Sequence, residues 1–491
     1  GRNATHQIKK LSNEQLRALR ARLHLEEEIP EEALAEGAEP PYYRPPVGAP
    51  ECSYLTSRRR ALNGRLPKRP AALRRPLELP DHGPFSEFDG GSGGQEVSTT
   101  MAFTRLLRNL ARDDGFGDRV VPIIPDEGRT FGMDSLFKEL QIYASGGQKY
   151  EPVDHHLILS YKEAREGQIL EEGITEAGSR ASWIAAATSH STRGVPMVPF
   201  FTFYSMFGFQ RVGDLIWSAA DARAKGFLIG ATAGRTTLSG EGLQHQDGHS
   251  HVLASTVPVC EAYDPAFAYE MSTIIERGLE RMYGEGDDVF YYLTVYNENY
   301  EMPAKPEGVE DGIMAGLYRW APAPEGASIP AAILFSGPAH AAARIAQAEL
   351  AEHYGVGAEL WSATSYKKLR EEALEVERWN RLHPGAAPRA SYVSRSLAGL
   401  GPVVAVSDYM TAVPDQIARW VPARYTSLGT DGFGRSDGRP ALRDFFEVDA
   451  KHIAMAALAS LVREGQLDVK VATKARDELG INADKQNPMY L

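Results

Sequence analysis

From Gln95 to about residue 300 the apolar positions switch repeatedly between a helical period and short continuous runs. Met101, Phe103, Leu106, Leu107 and Leu110 form one helical face behind Ser98-Thr99-Thr100, whose hydroxyls can cap a helix start. Val120-Val121-Pro122-Ile123-Ile124 then reads as a buried strand. The alternation continues. Helical Ile184 to Thr188 precedes strand-like Met197 to Phe203, and helical Leu215 to Ala224 precedes Phe227-Leu228-Ile229. Helical Ala266 to Met282 precedes the run from Val289 to Val295. Strands alternating with helices predict a parallel sheet covered on both faces. After a Pro-rich linker from Met302 to Pro324, a second unit begins near Ala331. Its predicted strands are Ala332 to Phe335, Glu359 to Ser362 and Val403 to Val406, and its helices include Ala342 to His353 and Lys367 to Trp379. The expected fold class is α/β, with two doubly wound units.

The first 95 residues break this rhythm. Leu11 to Leu25 can form one amphipathic helix with Leu16, Leu19 and Leu23 on one face. Pro40-Pro41 to Pro45-Pro46 and a basic stretch from Arg58-Arg59-Arg60 to Arg74-Arg75 read as an extended wrapping segment. Gly90-Gly91-Ser92-Gly93-Gly94 reads as a flexible connector. The expected organisation is a linker over residues 1–95 and compact domains over 96–300 and 301–491.

Composition narrows the partners more than the chemistry. Hydrophobic residues make up 43% and charged residues 24%, ordinary for a globular enzyme. No run approaches the roughly 20 apolar residues of a membrane span. The formal charge of −12 argues against nucleic acid as the main ligand, which needs a basic face, and permits a basic protein partner. With only Cys52 and Cys260, no disulfide framework organises the fold, and a reducing cytoplasm is the simplest setting. The start at Gly1-Arg2-Asn3, with neither initiator Met nor export signal, reads as a start inside a longer protein.

Three stretches can carry chemistry. Asp126-Glu127-Gly128-Arg129 directly follows a predicted strand, where function in parallel sheets collects, although a solvated loop has the same pattern. Glu176, among small and apolar neighbours in Gly173 to Gly178, has two readings. Buried, it favours the protonated form and can donate to a ring nitrogen; at a helix start, it is a carboxylate favoured by the dipole. Thr236 to His251 gathers Glu241, His245, Asp247, His249 and His251, which suits a metal site, an acid–base cluster or a polar loop. Between them the aromatic run Phe200 to Phe209 suits either a core or the floor of a pocket for a flat heteroaromatic ring.

These stretches together closely resemble the homodimeric bacterial pyruvate dehydrogenase decarboxylating component, a thiamin-diphosphate-dependent, transketolase-like family. The likeness is carried by Ile123 to Glu127, Gly167 to Gly178, Tyr204 to Arg211 and, most specifically, Gly240 to Ser250. It continues through Leu428-Gly429-Thr430-Asp431-Gly432-Phe433-Gly434-Arg435-Ser436-Asp437 and Asn482 to Pro488, and includes Asn3 to Lys10. The resemblance implies that this chain corresponds to the family's C-terminal half, a pyrimidine-binding domain and a C-terminal domain. The family's Gly-Asp-Gly magnesium motif does not occur; Gly115 to Asp118 and Gly284 to Asp287 are different sequences. Magnesium and diphosphate ligands are therefore expected on another chain or domain.

Residue by residue, the resemblance implies that Glu176 hydrogen-bonds the aminopyrimidine ring of thiamin diphosphate, and that Tyr204 and Phe207 line the ring's pocket. It puts Asp126 and Glu127 near the cofactor, and Glu241 and His245 at the substrate-derived intermediate and the acetyl transfer to a lipoyl group. Ala144 to Tyr161 corresponds to a loop that closes over the site. His249 and His251 receive no role, and the metal reading of the histidines loses ground. The implied partners are a diphosphate-binding domain or chain and the dihydrolipoyl acetyltransferase component, in a homodimer or heterotetramer. Ser336-Gly337-Pro338-Ala339-His340 departs from the family's turn. That departure keeps open a two-chain transketolase-like enzyme that moves a two-carbon unit from a ketose or another 2-oxo acid. A non-catalytic assembly fragment is the remaining alternative.

Overall fold

A computed structural model describes residues 10–39, 41–64, 75–126, 128–153 and 161–491. Contacts divide the chain into residues 1–69 and residues 70–491. In the first unit α1 (Asn13–Arg22) opens on a reciprocal cap. Ser12 Oγ accepts the Gln15 amide while the Gln15 side chain accepts the Ser12 amide. Arg17 and Arg20 both reach Glu31, at 2.5 and 2.6 Å. Helix α2 (Pro50–Ala61) has Pro in its first turn and Arg58, Arg59 and Arg60 in its last, where cations complement the helix dipole. That part of the basic stretch is therefore helical rather than extended; residues 65–74 lie outside the described residues.

In the second unit α3 (Thr99–Ala111) is capped by Ser98 Oγ, which accepts the Met101 amide at 3.1 Å. It buries Phe103, Leu106, Leu107 and Leu110, while Met101, expected on the same face, is 41% exposed. The first sheet contains β1 (Val120–Ile124), β2 (Leu170–Glu171), β3 (Val198–Tyr204), β4 (Phe227–Ala231), β5 (Cys260–Tyr263) and β6 (Phe290–Thr294). Their order is β2-β1-β3-β4-β6-β5 and every pairing is parallel. Successive residues supply opposite faces. Phe200 joins one apolar core with Val120 and Ile124, whereas Phe201 and Phe203 join another with Ile123. Covering helices include α4 (Glu176–Ala187), α5 (Phe209–Asp221), α6 (Ser250–Ser255) and α7 (Ala268–Leu279).

The second sheet contains β7 (Tyr318–Ala321), β8 (Ile329–Phe335), β9 (Val356–Ser362), β10 (Val403–Val406) and β11 (Tyr425–Leu428), in the order β7-β9-β8-β10-β11. Only β7 is antiparallel to its neighbour. Helices α8 (His340–Tyr354), α9 (Tyr366–Leu382), α10 (Arg439–Phe446), α11 (Ala450–Arg463) and α12 (Val469–Glu478) follow along the chain. On β8, Ile333 and Phe335 pack in one core while Ala332 and Leu334 pack in another, so this sheet too is covered on both faces. The structure is thus the expected pair of doubly wound α/β units.

Two local expectations change. The stretch from Met302 to Pro324 is not only linker: it holds a helix at Glu310–Ala315 and the edge strand β7. Nor is Gly90 to Gly94 simply a flexible connector. The Ser92 amide donates to Met302 O and Ser92 Oγ accepts the Met302 amide, both at 2.9 Å. A Cβ on Gly91 would stand 2.5 Å from Met302 O, so glycine there permits a close backbone approach.

Candidate active site

Parallel sheets present catalytic groups at the carboxyl ends of their strands, because the connecting turns there are free to vary while the strands hold them in place. Asp126 follows β1 immediately after Pro125, Glu171 ends β2, and Tyr204 ends β3. Glu176 opens α4 just after β2, behind Thr175, whose hydroxyl accepts the Gly178 amide at 3.1 Å. The stretch from Thr236 to His251 follows β4. Residues scattered over more than a hundred positions therefore reach one edge of one sheet. Glu127 and residues 154–160 of the expected closing loop lie outside the described residues.

An aromatic assembly occupies the middle of this edge. The Tyr204 and His245 rings stack in parallel, with centroids 4.4 Å apart and planes 4° apart. Phe207 meets both edge-on, at 5.6 and 5.7 Å, and Phe131 packs against Tyr204 at 5.3 Å. The Arg211 guanidinium lies over Phe207, 3.8 Å from its centroid, and its Nη1 reaches the Glu176 carboxylate at 3.3 Å. Glu176 is mostly shielded, with its side chain 11% exposed. Glu241 Oε2 stands 3.5 Å from His245 Nδ1. Among the described residues that nitrogen is buried without a hydrogen-bond partner. The structure thus brings Glu176, Tyr204, Phe207, Glu241 and His245 into one connected set.

A second carboxylate pair stands at the neighbouring strand ends. Burial pushes the Glu171 carboxyl above the usual carboxylate range; the Tyr161 hydroxyl, donating at 3.0 Å, opposes that shift, and the nearby charges of Asp126 and Glu163 add to it. A carboxyl in that setting holds a proton more readily at neutral pH. Sequence reading gave Glu171 and Arg211 no role of their own and placed Tyr161 only at the end of the closing loop. The i,i+4 spacing of Phe207 and Arg211 was the available signal for a cation over a ring. Glu171 had only its place at the end of a two-residue strand.

The remaining histidines separate. His251 Nε2 pairs with Thr294 Oγ1 at 3.0 Å inside the fold. Burial lowers the basicity of both His249 and His251. Asp247 Oδ1 accepts the amides of His249 and Ser250 at 3.1 and 3.0 Å, just ahead of α6. Among the described residues, the group with metal-ligand spacing is Asp444, Asp449 and His452. Lys451 Nζ already stands 2.5 Å from Asp444 there. A cleft of about 750 Å³ opens among Leu79, His82, Phe85, Glu276, Lys305 and Asp311, away from the aromatic assembly.

Comparison with known proteins identifies the domains that carry these residues. Residues 77–303 match the pyruvate dehydrogenase E1 component middle domain, and residues 316–449 match the transketolase-like TK C-terminal domain. Similar curated proteins, each called pyruvate dehydrogenase E1 component, come from Pseudomonas aeruginosa, Mycolicibacterium smegmatis and Escherichia coli K12. They are 49%, 51% and 47% identical over 99%, 98% and 99% of this chain. The chain spans about half the length of these relatives, 55%, 52% and 54%. Among solved structures it resembles a transketolase from Leishmania mexicana, with a TM-score of 0.58, 17% identity, and coverage of 79% of this chain and 48% of that one. A transketolase from Campylobacter jejuni gives 0.55 at 16% identity, over 77% of this chain and 49% of the other. These structural likenesses concern the fold; the sequence relatives go further, and the chain belongs to the pyruvate dehydrogenase E1 component family, as a part that carries its middle domain and a transketolase-like C-terminal domain.

Proposed function

We propose that this chain supplies the pyrimidine-facing half of a thiamin diphosphate site and takes part in the oxidative decarboxylation of pyruvate, with acetyl transfer to a lipoyl group. The observation that carries this reading is the flat Tyr204–His245 stack flanked by Phe207 and linked through Arg211 to the shielded Glu176 carboxylate. Aromatic faces, a carboxylate and an imidazole nitrogen without a hydrogen-bond partner among the described residues suit a heteroaromatic ring with nitrogen at its edge. The bound cofactor supplies an electron sink for the electrons left when carbon dioxide departs.

The rest is the work of the chain's own residues. Tyr204 and Phe207 orient the ring by packing against it. Glu176 hydrogen-bonds a ring nitrogen and holds the proton there. Asp126 and Glu127 act near the cofactor. His245, with Glu241 beside Nδ1, moves protons to and from the substrate-derived oxygen while the acetyl group passes on. The domains proposed for these tasks are residues 96–300 for pyrimidine binding and 301–491 for the C-terminal domain, preceded by the linker at 1–95. The proposed partners are a diphosphate-binding domain or chain carrying the magnesium ligands and the dihydrolipoyl acetyltransferase component. The setting is a cytoplasmic dimeric assembly. Among the described residues no helix is long and apolar enough to cross a membrane.

Titration calorimetry tests the reading. Thiamin diphosphate and magnesium should bind the 491-residue chain weakly by itself, because its net acidity repels the diphosphate. A chain carrying the diphosphate-binding domain should make binding tight and magnesium-dependent, and pyruvate should then be decarboxylated. Tight magnesium-dependent binding to the chain alone overturns the division of the site.

A further inference from the structure

The stretch that carries Glu241 and His245 is anchored by residues far along the chain. It leaves the first sheet at Ala233, whose amide donates to Val295 O at 3.2 Å, and rejoins it at Ser250, whose hydroxyl accepts from Tyr292 at 2.8 Å. Between these points the His245 ring stacks on Tyr204, and, turns within the loop aside, the described hydrogen bonds come from residues 408–443. Asp408, at the carboxyl end of β10, accepts the Arg235 and Thr236 amides, each at 3.0 Å; the Thr237 hydroxyl, which donates to Ala233 O at 2.6 Å, lies 3.3 Å from it. The Gly240 amide donates to Asp437 O at 3.0 Å, Gln246 Oε1 accepts the Arg435 amide at 3.2 Å, and Arg439 Nε donates to Thr237 O at 2.6 Å. Gly234 lies at φ +80°, and a Cβ there would stand 2.0 Å from Asp408 Oδ2, so the backbone itself is shaped to this carboxylate.

We infer that Asp408 is a positioning residue through which the C-terminal unit holds the loop bearing Glu241 and His245 in place. The importance of that loop rests on the roles proposed above for those two residues; the mechanical tie does not. A carboxylate suits the task because it is acceptor-only: its two oxygens face the amides of two consecutive residues. An asparagine at this place turns an NH2 group toward N–H or O–H donors and breaks the match. Burial pushes the Asp408 carboxyl up to about 6, against the bonds from Thr236 and the charge of Arg443 and together with the charge of Glu298. At pH 8 it is the ionised form that holds the loop.

Hydrogen exchange on the full 491-residue chain at pH 8 reads the tie directly. Asp408→Asn should speed exchange of the Arg235 and Thr236 amides about tenfold and loosen residues 240–248, with α4 and α8 unchanged. Thr237→Val, which removes the hydroxyl that ties Ala233 O beside Asp408, should give about threefold and serves if the first variant does not fold. Unchanged loop exchange in a folded variant overturns the inference. In the enzyme assembled with its diphosphate-binding partner, Asp408→Asn should lower kcat about tenfold while KM and cofactor affinity stay within about twofold. A loosened loop with unchanged kcat overturns the roles of Glu241 and His245 and leaves the positioning role standing; a lower kcat with an unchanged loop overturns the positioning role.

Discussion

At the carboxyl edge of the first sheet, Glu176 and Tyr204 keep part of their surface exposed, and His245 keeps a nitrogen without a hydrogen-bond partner among the described residues. At the carboxyl edge of the second, Ser336, Ser407 and Asp408 are all but inaccessible, and their bonds point into the fold. Ser336 Oγ donates to Asp264 at 2.7 Å, and Asp408 receives the loop after β4. Both edges are polar and both follow buried parallel strands. The difference teaches that strand-end position nominates a site, while exposed surface and unmatched polar atoms decide whether it meets a ligand or another part of the chain.

The contrast can be broken most forcefully at the first edge. In the reconstituted enzyme, Glu176→Gln should lower turnover by roughly 10²–10⁴-fold with circular dichroism unchanged. A variant within a few-fold of wild type, with cofactor bound, removes Glu176 from the chemistry. His245→Ala should cost on the order of 10²-fold in kcat with cofactor affinity nearly intact. An equal loss of affinity would place His245 in the cofactor pocket instead.

At the second edge the expected effect is on stability. Ser336→Ala deprives the buried Asp264 of one donor and leaves it Thr294 and Tyr296. It should cost about 1–3 kcal/mol in a denaturant melt, with turnover per folded molecule unchanged. A stable variant with altered turnover would blur the distinction between the edges.

A polar cluster at neither edge gives the smallest effect. Hydrogen bonds donated to the Glu276 and Asp89 carboxylates raise the pKa of His82. Because the folded value lies above the unfolded one, the stabilisation is complete below about pH 6.5 and is lost as pH rises through the folded value. The imidazole is half exposed, so His82→Ala should remove only about 1 °C of the Tm difference between mildly acidic and mildly alkaline buffer. A flat wild-type Tm over that range would count against the ion cluster.

Legibility in the sequence followed burial. Val120–Ile124 and Val403–Val406 are continuous apolar runs because each is covered on both faces, and both were readable to the residue. Cys260–Tyr263 escaped notice because it is a four-residue edge strand broken by Glu261, whose charge Arg281 and Lys368 hold at 2.6 and 2.9 Å. Tyr425–Leu428 is a half-buried edge with no strong alternation. The candidate site was legible where chemistry clusters along the chain, as from Glu241 to His251. It was not legible where the fold supplies a partner from a distance. Nothing near Glu176 in sequence announces Arg211, and Asp408 looks like any acid after a strand until the loop from Arg235 to Thr237 is laid against it.

The tie between the loop and the C-terminal unit also sets a schedule for synthesis. Arg235 donates to Thr430 O, 195 residues downstream. A ribosome adding roughly 5–20 residues per second needs on the order of 10–40 s to cover that distance. Once Thr294 has emerged the nascent first sheet can pair all its strands, yet the segment from Arg235 to Gly248 still lacks its hydrogen-bond partners in residues 408–443. Nascent chains stalled before residue 408 should carry a protected sheet and a protease-sensitive loop, and release from the stall should close it.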